Sequence, residues 1–160
     1  MGKKPSLLLL LAIPIVLLRT AMAEEPPPRL LDFSGQSIAL TKVQRDATLI
    51  AFWMVSCVPC LEEMPLLDAM YKKYKAMGFT LIGVNVEPDS KAAEEFLKKL
   101  PVSFPVAFDA ESKVSQLYNV QGMPSTVIVD RKGNARVLHK GYRPGDENTY
   151  LDHVRTLIRE

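Results

Sequence analysis

Strands alternating with helices predict an α/β fold here, a central mixed β-sheet flanked by helices, in a chain long enough for one domain. Three features carry that expectation. Residues 47–55 and 79–86 are nearly continuous apolar runs, the pattern of strands buried on both faces. Each is followed by a segment with helical spacing of its apolar residues. Near the end, residues 125–129 and 135–140 flank the turn-forming Asp130-Arg131-Lys132-Gly133-Asn134, which reads as a hairpin before a last helix.

In order along the chain, residues 30–33 and 38–40 are short apolar runs either side of Ser34-Gly35-Gln36, an N-terminal hairpin. After the first buried strand, residues 61–77 place Leu61, Met64, Leu67, Tyr71 and Tyr74 at helical intervals, with lysines late and Gly78 as the stop. Residues 90–100 form an amphipathic helix with Ala93, Phe96, Leu97 and Leu100 on one side, and 104–108 are extended. A short helix over 112–118 turns Val114, Leu117 and Tyr118 inward. The last helix, with Asp146 as its cap, buries Tyr150, Leu151, Val154, Leu157 and Ile158. The order is β-α-β-α-β-α-β-β-α after the hairpin.

The first residues have a different character. Lys3 and Lys4 precede a 12-residue apolar run at 7–18, and a small-x-small ending leads to Glu24 and Glu25. A basic start, a short greasy centre and small residues at the end make residues 1–23 a secretory signal peptide. The run is short of the roughly 20 residues that cross a hydrocarbon core. Cleavage after Ala23 is the expectation, with an uncleaved tether as the alternative. Residues 24–29, with Pro26-Pro27-Pro28, form a stiff leader, and 30–160 the folded domain. A net charge of +2 gives no reason to expect nucleic-acid binding.

The chain has two cysteines, Cys57 and Cys60, where the first buried strand gives way to a helix. A bridge over two intervening residues closes so small a loop that it restrains the unfolded chain little. A reversible redox pair is the better use. Free N–H groups and a partial positive charge at a helix start favour a thiolate, so Cys57 is the expected nucleophile. Cys60, one turn on, is placed to attack a mixed disulfide on Cys57. Pro59 is tolerated in the first turn because its missing N–H had no helical partner. A zinc site would need further ligands, and His139 and His153 are separated by thirteen residues, too far for finger-type spacing. No metal and no cofactor is expected.

Ala51-Phe52-Trp53-Met54-Val55-Ser56-Cys57-Val58-Pro59-Cys60-Leu61-Glu62-Glu63-Met64-Pro65 resembles the active-site segment of the thioredoxin superfamily, specifically the TlpA/ResA/CcmG group of extracytoplasmic thiol–disulfide oxidoreductases. Pro65 falls where that group's helix is kinked, and Gly122-Met123-Pro124-Ser125-Thr126 is similar to the segment whose proline is cis beside the CxxC. Residues 83–86 and 90–108 resemble the group's central helix-strand insertion. The resemblance covers residues 30–160 and implies a thioredoxin-like fold, with Met123 and Pro124 presenting backbone to a substrate peptide. It also implies a monomer that reduces disulfides of periplasmic proteins, such as those of cytochrome c maturation, recharged by a membrane thiol-electron carrier. Alternative functions are a disulfide-donating oxidase, a thiol peroxidase or a copper-delivery module.

Two residues depart from the group's pattern. Ser56 stands where Trp usually precedes the first Cys, and the buried acid that thioredoxins carry on the preceding strand falls at Ala51. Some relatives use an acid after the next strand instead, which makes Glu87 and Asp89 the candidate proton acceptors. Glu62 and Glu63 read as surface residues of the helix, and Trp53 and Phe52 as core.

Overall fold

The structure, a computed structural model, describes residues 30–31, 37–38 and 45–160. The signal segment 1–23 and the leader 24–29 lie outside the described residues. Among the described residues seven strands form one sheet: β1 (Leu30–Leu31), β2 (Ser37–Ile38), β3 (Ala47–Trp53), β4 (Phe79–Asn85), β5 (Val106–Phe108), β6 (Ser125–Asp130) and β7 (Ala135–Lys140). The helices are α1 (Val58–Tyr74, extended by a 3-10 turn, Lys75–Met77), α2 (Lys91–Lys99), α3 (Lys113–Leu117) and α4 (Asp146–Arg159). The sheet order is β2-β1-β5-β4-β3-β6-β7. β3 runs parallel to β4 and β4 parallel to β5, while β6 is antiparallel to β3 and β7 to β6. The mixed sheet, parallel at its centre, is therefore as the alternation of elements requires. The small hairpin is present too, with Leu30 opposite Ile38, and it joins the sheet through Leu31 opposite Phe108.

Both central strands are buried along their whole length, which explains their unbroken apolar runs. Alternate residues serve opposite faces. Leu49, Ala51 and Trp53 join Leu81, Ile128, Met64, Leu67, Tyr150 and Val154 under α1 and α4. Ile50 and Phe52 join Ile82, Val84, Val127 and Val129 on the other face, where Val114 of α3 packs. α2 and β5 stand between β4 and α3 as the inserted helix and strand, with Ala93 fully buried and Phe96 tilted against Trp53 at a ring distance of 5.9 Å.

Three local expectations need correction. Leu117 is 59% exposed, because α3 is a helix of only five residues and has room to bury Val114 and Ser115 but not a third position. Asp146 is the first residue of α4 and not its cap; Gly145, at φ 107°, holds the cap position, and the Asp146 carboxylate instead accepts from the Arg143 N–H at 2.8 Å. Glu63, expected on the surface, is 2% exposed.

Gly83 on β4 lies opposite Ala51 and beneath an aromatic pair. A Cβ there would stand 2.9 Å from the Phe104 ring and 3.4 Å from Trp53 Nε1. Gly83→Ala is expected to destabilise the fold by about 1–3 kcal/mol, since a packed ring must shift to admit the methyl. Urea unfolding of the variant beside the parent measures this directly.

Candidate redox site

β3 ends at Trp53, and Met54 to Ser56 carry the chain off the sheet to Cys57. The turn is closed by the Cys57 N–H donating to Met54 O at 3.2 Å. Cys57 is the N-cap of α1, in extended conformation, and its Sγ accepts the Cys60 N–H at 3.3 Å. The sulfur thus takes the place that a serine or aspartate oxygen fills in an ordinary cap. Cys57 and Cys60 are joined in a disulfide, with Cα atoms 5.3 Å apart. Their environments differ sharply. Cys57 is partly exposed between exposed Ser56 and Val58, whereas Cys60 is 1% exposed on the inner face of the helix. A reagent from solvent reaches the first sulfur and not the second.

The Met123–Pro124 peptide bond is cis. Pro124 is buried and Met123 partly so, its side chain packing against the core on both faces of the sheet. The register pairs Ser125 with Phe52, which sets Pro124 beside the end of β3, where the chain leaves for Cys57. Pro124 O accepts the Gly141 N–H at 2.8 Å, and Ser125 Oγ donates to Gly122 O at 2.7 Å. Met123, Pro124, Cys57 and Cys60 are thus gathered at one end of the sheet.

Glu87 belongs to the same end. Its Oε1 accepts the Val55 N–H at 3.2 Å and its Oε2 the Asn85 Nδ2 at 2.8 Å, while its own N–H donates to Asn85 Oδ1. It ties the loop after β4 to the loop that carries Cys57. Asp89 is exposed, and its Oδ1 accepts the Lys91 N–H at 2.9 Å at the start of α2.

The buried acid of this site is Glu63. One turn beyond Cys60, it is enclosed between α1, β6 and α4. Burial pushes its carboxyl up to about 7, reinforced by the negative charges of Asp146 and Glu147 and opposed by the hydroxyls of Tyr150 and Thr126. Thr126 Oγ1 donates to Glu63 Oε1 at 3.4 Å. Thr126 is the register partner of Ala51, the strand position where an acid is missing. The acid therefore comes from the helix above the strand. A helical wheel would have found it: Glu63 falls within the arc set by Cys60, Met64, Leu67 and Met70, and its charge concealed that position. His139 and His153, far apart in sequence, meet as tilted rings with centres 5.4 Å apart, because β7 and α4 bring them together. Among the described residues no group of three or more His, Cys, Asp or Glu is placed to hold a metal ion.

The sequence profile described as Redoxin matches residues 24–154. The chain belongs to the redoxin family. Among curated relatives, it is 30% identical to the thiol-disulfide oxidoreductase ResA of Halalkalibacterium halodurans over 69% of its own length and 62% of the relative's. It is likewise 30% identical to ResA of Bacillus thuringiensis subsp. konkukian, over 82% of this chain and 76% of that one. The chain spans a little under two thirds of the length of the first of these. A solved structure from Chlorobium tepidum, described as a thiol:disulfide interchange protein of the DsbE kind, superposes with a TM-score of 0.77 at 31% identity, covering 82% of this chain and 92% of that one. Within the thioredoxin superfamily, this redoxin is of the TlpA/ResA/CcmG-like kind, and its fold is thioredoxin-like.

A buried carboxyl that titrates higher in the folded state than in the unfolded chain holds its proton while the unfolded chain releases it. Its contribution to stability is complete below about pH 4.5 and is lost as pH rises toward about 7, levelling off above that. Glu63→Gln removes this dependence. The variant is expected to gain roughly 2–3 kcal/mol relative to the parent between pH 4.5 and pH 8, read as the difference in urea unfolding free energy at the two pH values.

Proposed function

We propose that this redoxin is a thiol–disulfide oxidoreductase that reduces disulfides of extracytoplasmic proteins through Cys57 and Cys60. The observation that carries the reading is the contrast between the two sulfurs: Cys57 is reachable at a helix start with a backbone N–H on its Sγ, and Cys60 is enclosed one turn from a buried carboxyl. In the reduced protein, the Cys57 thiolate attacks a substrate disulfide, forming a mixed disulfide and releasing one substrate thiolate, which takes a proton from water. Cys60 then gives its proton to Glu63 and attacks Cys57 Sγ, which releases the second substrate sulfur. Two electrons have passed to the substrate, and the Cys57–Cys60 disulfide seen here is the product. A carboxyl near 7 is matched to accepting and returning a proton at neutral pH. Glu63 fits that role better than Glu87, whose two oxygens are engaged by Val55 and Asn85, or Asp89, which is exposed and accepts the Lys91 N–H at the start of α2.

Met123 and Pro124 are the proposed rest for the substrate backbone, added as an edge strand would be. The signal pattern of residues 1–23 supports a periplasmic site of action, and a reductant working in an oxidising compartment requires recharging, for which a membrane thiol-electron carrier is the proposed donor. The protein is proposed to act as a monomer, with cytochrome c maturation as one setting that supplies cysteine-bearing substrates. Reduction is favoured over donation of the disulfide because the start of α1 stabilises a thiolate only modestly: Val58 is apolar and Pro59 withholds an N–H. The charge of Glu63 cannot be added to that argument, since its carboxyl is buried and half protonated at neutral pH.

A Cys60→Ser variant, expressed with its signal segment intact, is expected to accumulate mixed disulfides with exported proteins that reductant releases; monomer and homodimer alone would remove the main support for a substrate-reducing role. The midpoint potential of the Cys57–Cys60 couple, equilibrated against glutathione, is expected nearer roughly −270 mV than roughly −120 mV. A value above about −150 mV would mean that the protein oxidises its substrates.

A further inference from the structure

The buried polar groups between α1 and α4 include one that the exchange steps above leave without a task. Tyr150 is fully buried, and its hydroxyl has no partner at hydrogen-bond length. A buried, unpaired hydroxyl is costly, so its persistence invites a reason. What that hydroxyl faces is the Glu63 carboxyl, with Thr126 beside it. The two groups complement each other: the phenol lacks an acceptor, and a carboxylate deprived of water lacks donors.

We propose that Tyr150 is a positioning residue of the redox centre, whose hydroxyl, from the last helix, turns to donate to the Glu63 carboxylate when that acid is ionised and draws back when it is protonated. The inference rests on the reading of Glu63 as the proton acceptor for Cys60. Tyr150 and Thr126 together supply the donors that a buried carboxylate needs, so the acid can ionise near neutral pH although it lies in the core.

The other groups around Glu63 sharpen this assignment. From α4, Asp146 and Glu147 oppose ionisation by like charge. From the loop before α4, the Tyr142 hydroxyl donates to Glu147 Oε2 at 3.2 Å and is thereby engaged. From β7, the His139 ring lies against Tyr150 with centres 4.7 Å apart, and burial together with His153 holds it below the usual imidazole range, so it brings no positive charge to the site at neutral pH. No neighbouring cation balances Glu63 among these groups; the hydroxyls of β6 and α4 are what oppose its desolvation.

Tyr150→Phe keeps the packed ring and removes the hydroxyl. Carbon-13 carboxyl NMR of the oxidised variant is expected to place the Glu63 midpoint about half to one pH unit higher than in the parent, roughly a three- to tenfold rise in proton affinity. The inflection in the pH dependence of the Cys57–Cys60 potential should move with it, while Thr126→Val gives a shift in the same direction. A folded Tyr150→Phe protein with an unmoved or lowered midpoint overturns the proposal. Should the variant fail to fold, the parent still decides: the Tyr150 ring resonances are expected to shift as Glu63 titrates and to stop doing so in Glu63→Gln, and rings indifferent to that titration overturn the proposal equally. Glu63→Gln also separates the two levels of inference. If it leaves the inflection in the potential unchanged, Glu63 is not the acceptor and both readings fall; if it abolishes the inflection while Tyr150→Phe leaves it in place, the role of Tyr150 alone falls.

Discussion

Everything at the redox end of this protein depends on which face α1 buries. The helix starts at Val58 and must cover a sheet face built from Leu49, Ala51 and Trp53. With 3.6 residues per turn, sinking Met64 and Leu67 into that face also sinks Cys60 and Glu63, which share the arc. The same rotation leaves Cys57 at the rim, as the cap. One packing decision therefore separates an accessible sulfur from an enclosed one, and places an acid beside the enclosed one. Apolar burial supplies the free energy that holds a carboxyl in the core, since desolvation alone would drive it out.

The proposed exchange chemistry follows from that asymmetry. Two thiols on the surface would compete for the same substrate sulfur, and two in the core would reach none. A sulfur at the helix start gains a backbone N–H and the field of the helix terminus, so it needs no base of its own. A sulfur on the buried face loses water and therefore needs one. Glu63 is the proposed answer to that need, supplied from the helix over a strand position where Ala51 is too small to contribute and beside Thr126, the partner of Ala51 across the ladder. The loop carrying Cys57 is held separately, by Glu87 on the Val55 N–H. Two acids at this end thus have different tasks: one faces the core and titrates, the other ties two loops together.

Much of this was legible in the residues because it rested on period and punctuation. Unbroken apolar runs marked β3 and β4, the turn residues marked the β6–β7 hairpin, and the cysteine spacing at a strand end marked the site. What escaped was tertiary. Leu117 reads as core by spacing, yet a five-residue helix cannot bury it. His139 and His153 are distant in sequence and neighbours in space, since β7 and α4 meet only after the chain has turned at Gly141 and Gly145. Glu63 escaped for a different reason: carboxylates are so rarely buried that its charge outweighed its place on the helical arc. Such conflicts between residue type and position are where function departs from folding rules, and here the conflict points at the acid of the site.

The last helix has a larger part in the site than its distance along the chain suggests. α4 packs on the face beneath which Glu63 is enclosed, and it brings both signs of influence to that carboxyl: the Tyr150 hydroxyl favours its ionised form, Asp146 and Glu147 its protonated one. A carboxyl governed by burial alone would stay protonated and accept nothing; one fully paired with a cation would stay ionised and return nothing. Burial, reinforced by Asp146 and Glu147 and opposed by the hydroxyls of Tyr150 and Thr126, leaves the acid near the midpoint at neutral pH, where it can do either. Because Tyr150 also fills the core with Val154 and Leu157, the residue that tunes the acid is fixed by the packing that completes the fold. The proton affinity of Glu63 is thereby coupled to how α4 is seated, and a change in that seating would alter the proposed chemistry at Cys60 without touching either sulfur.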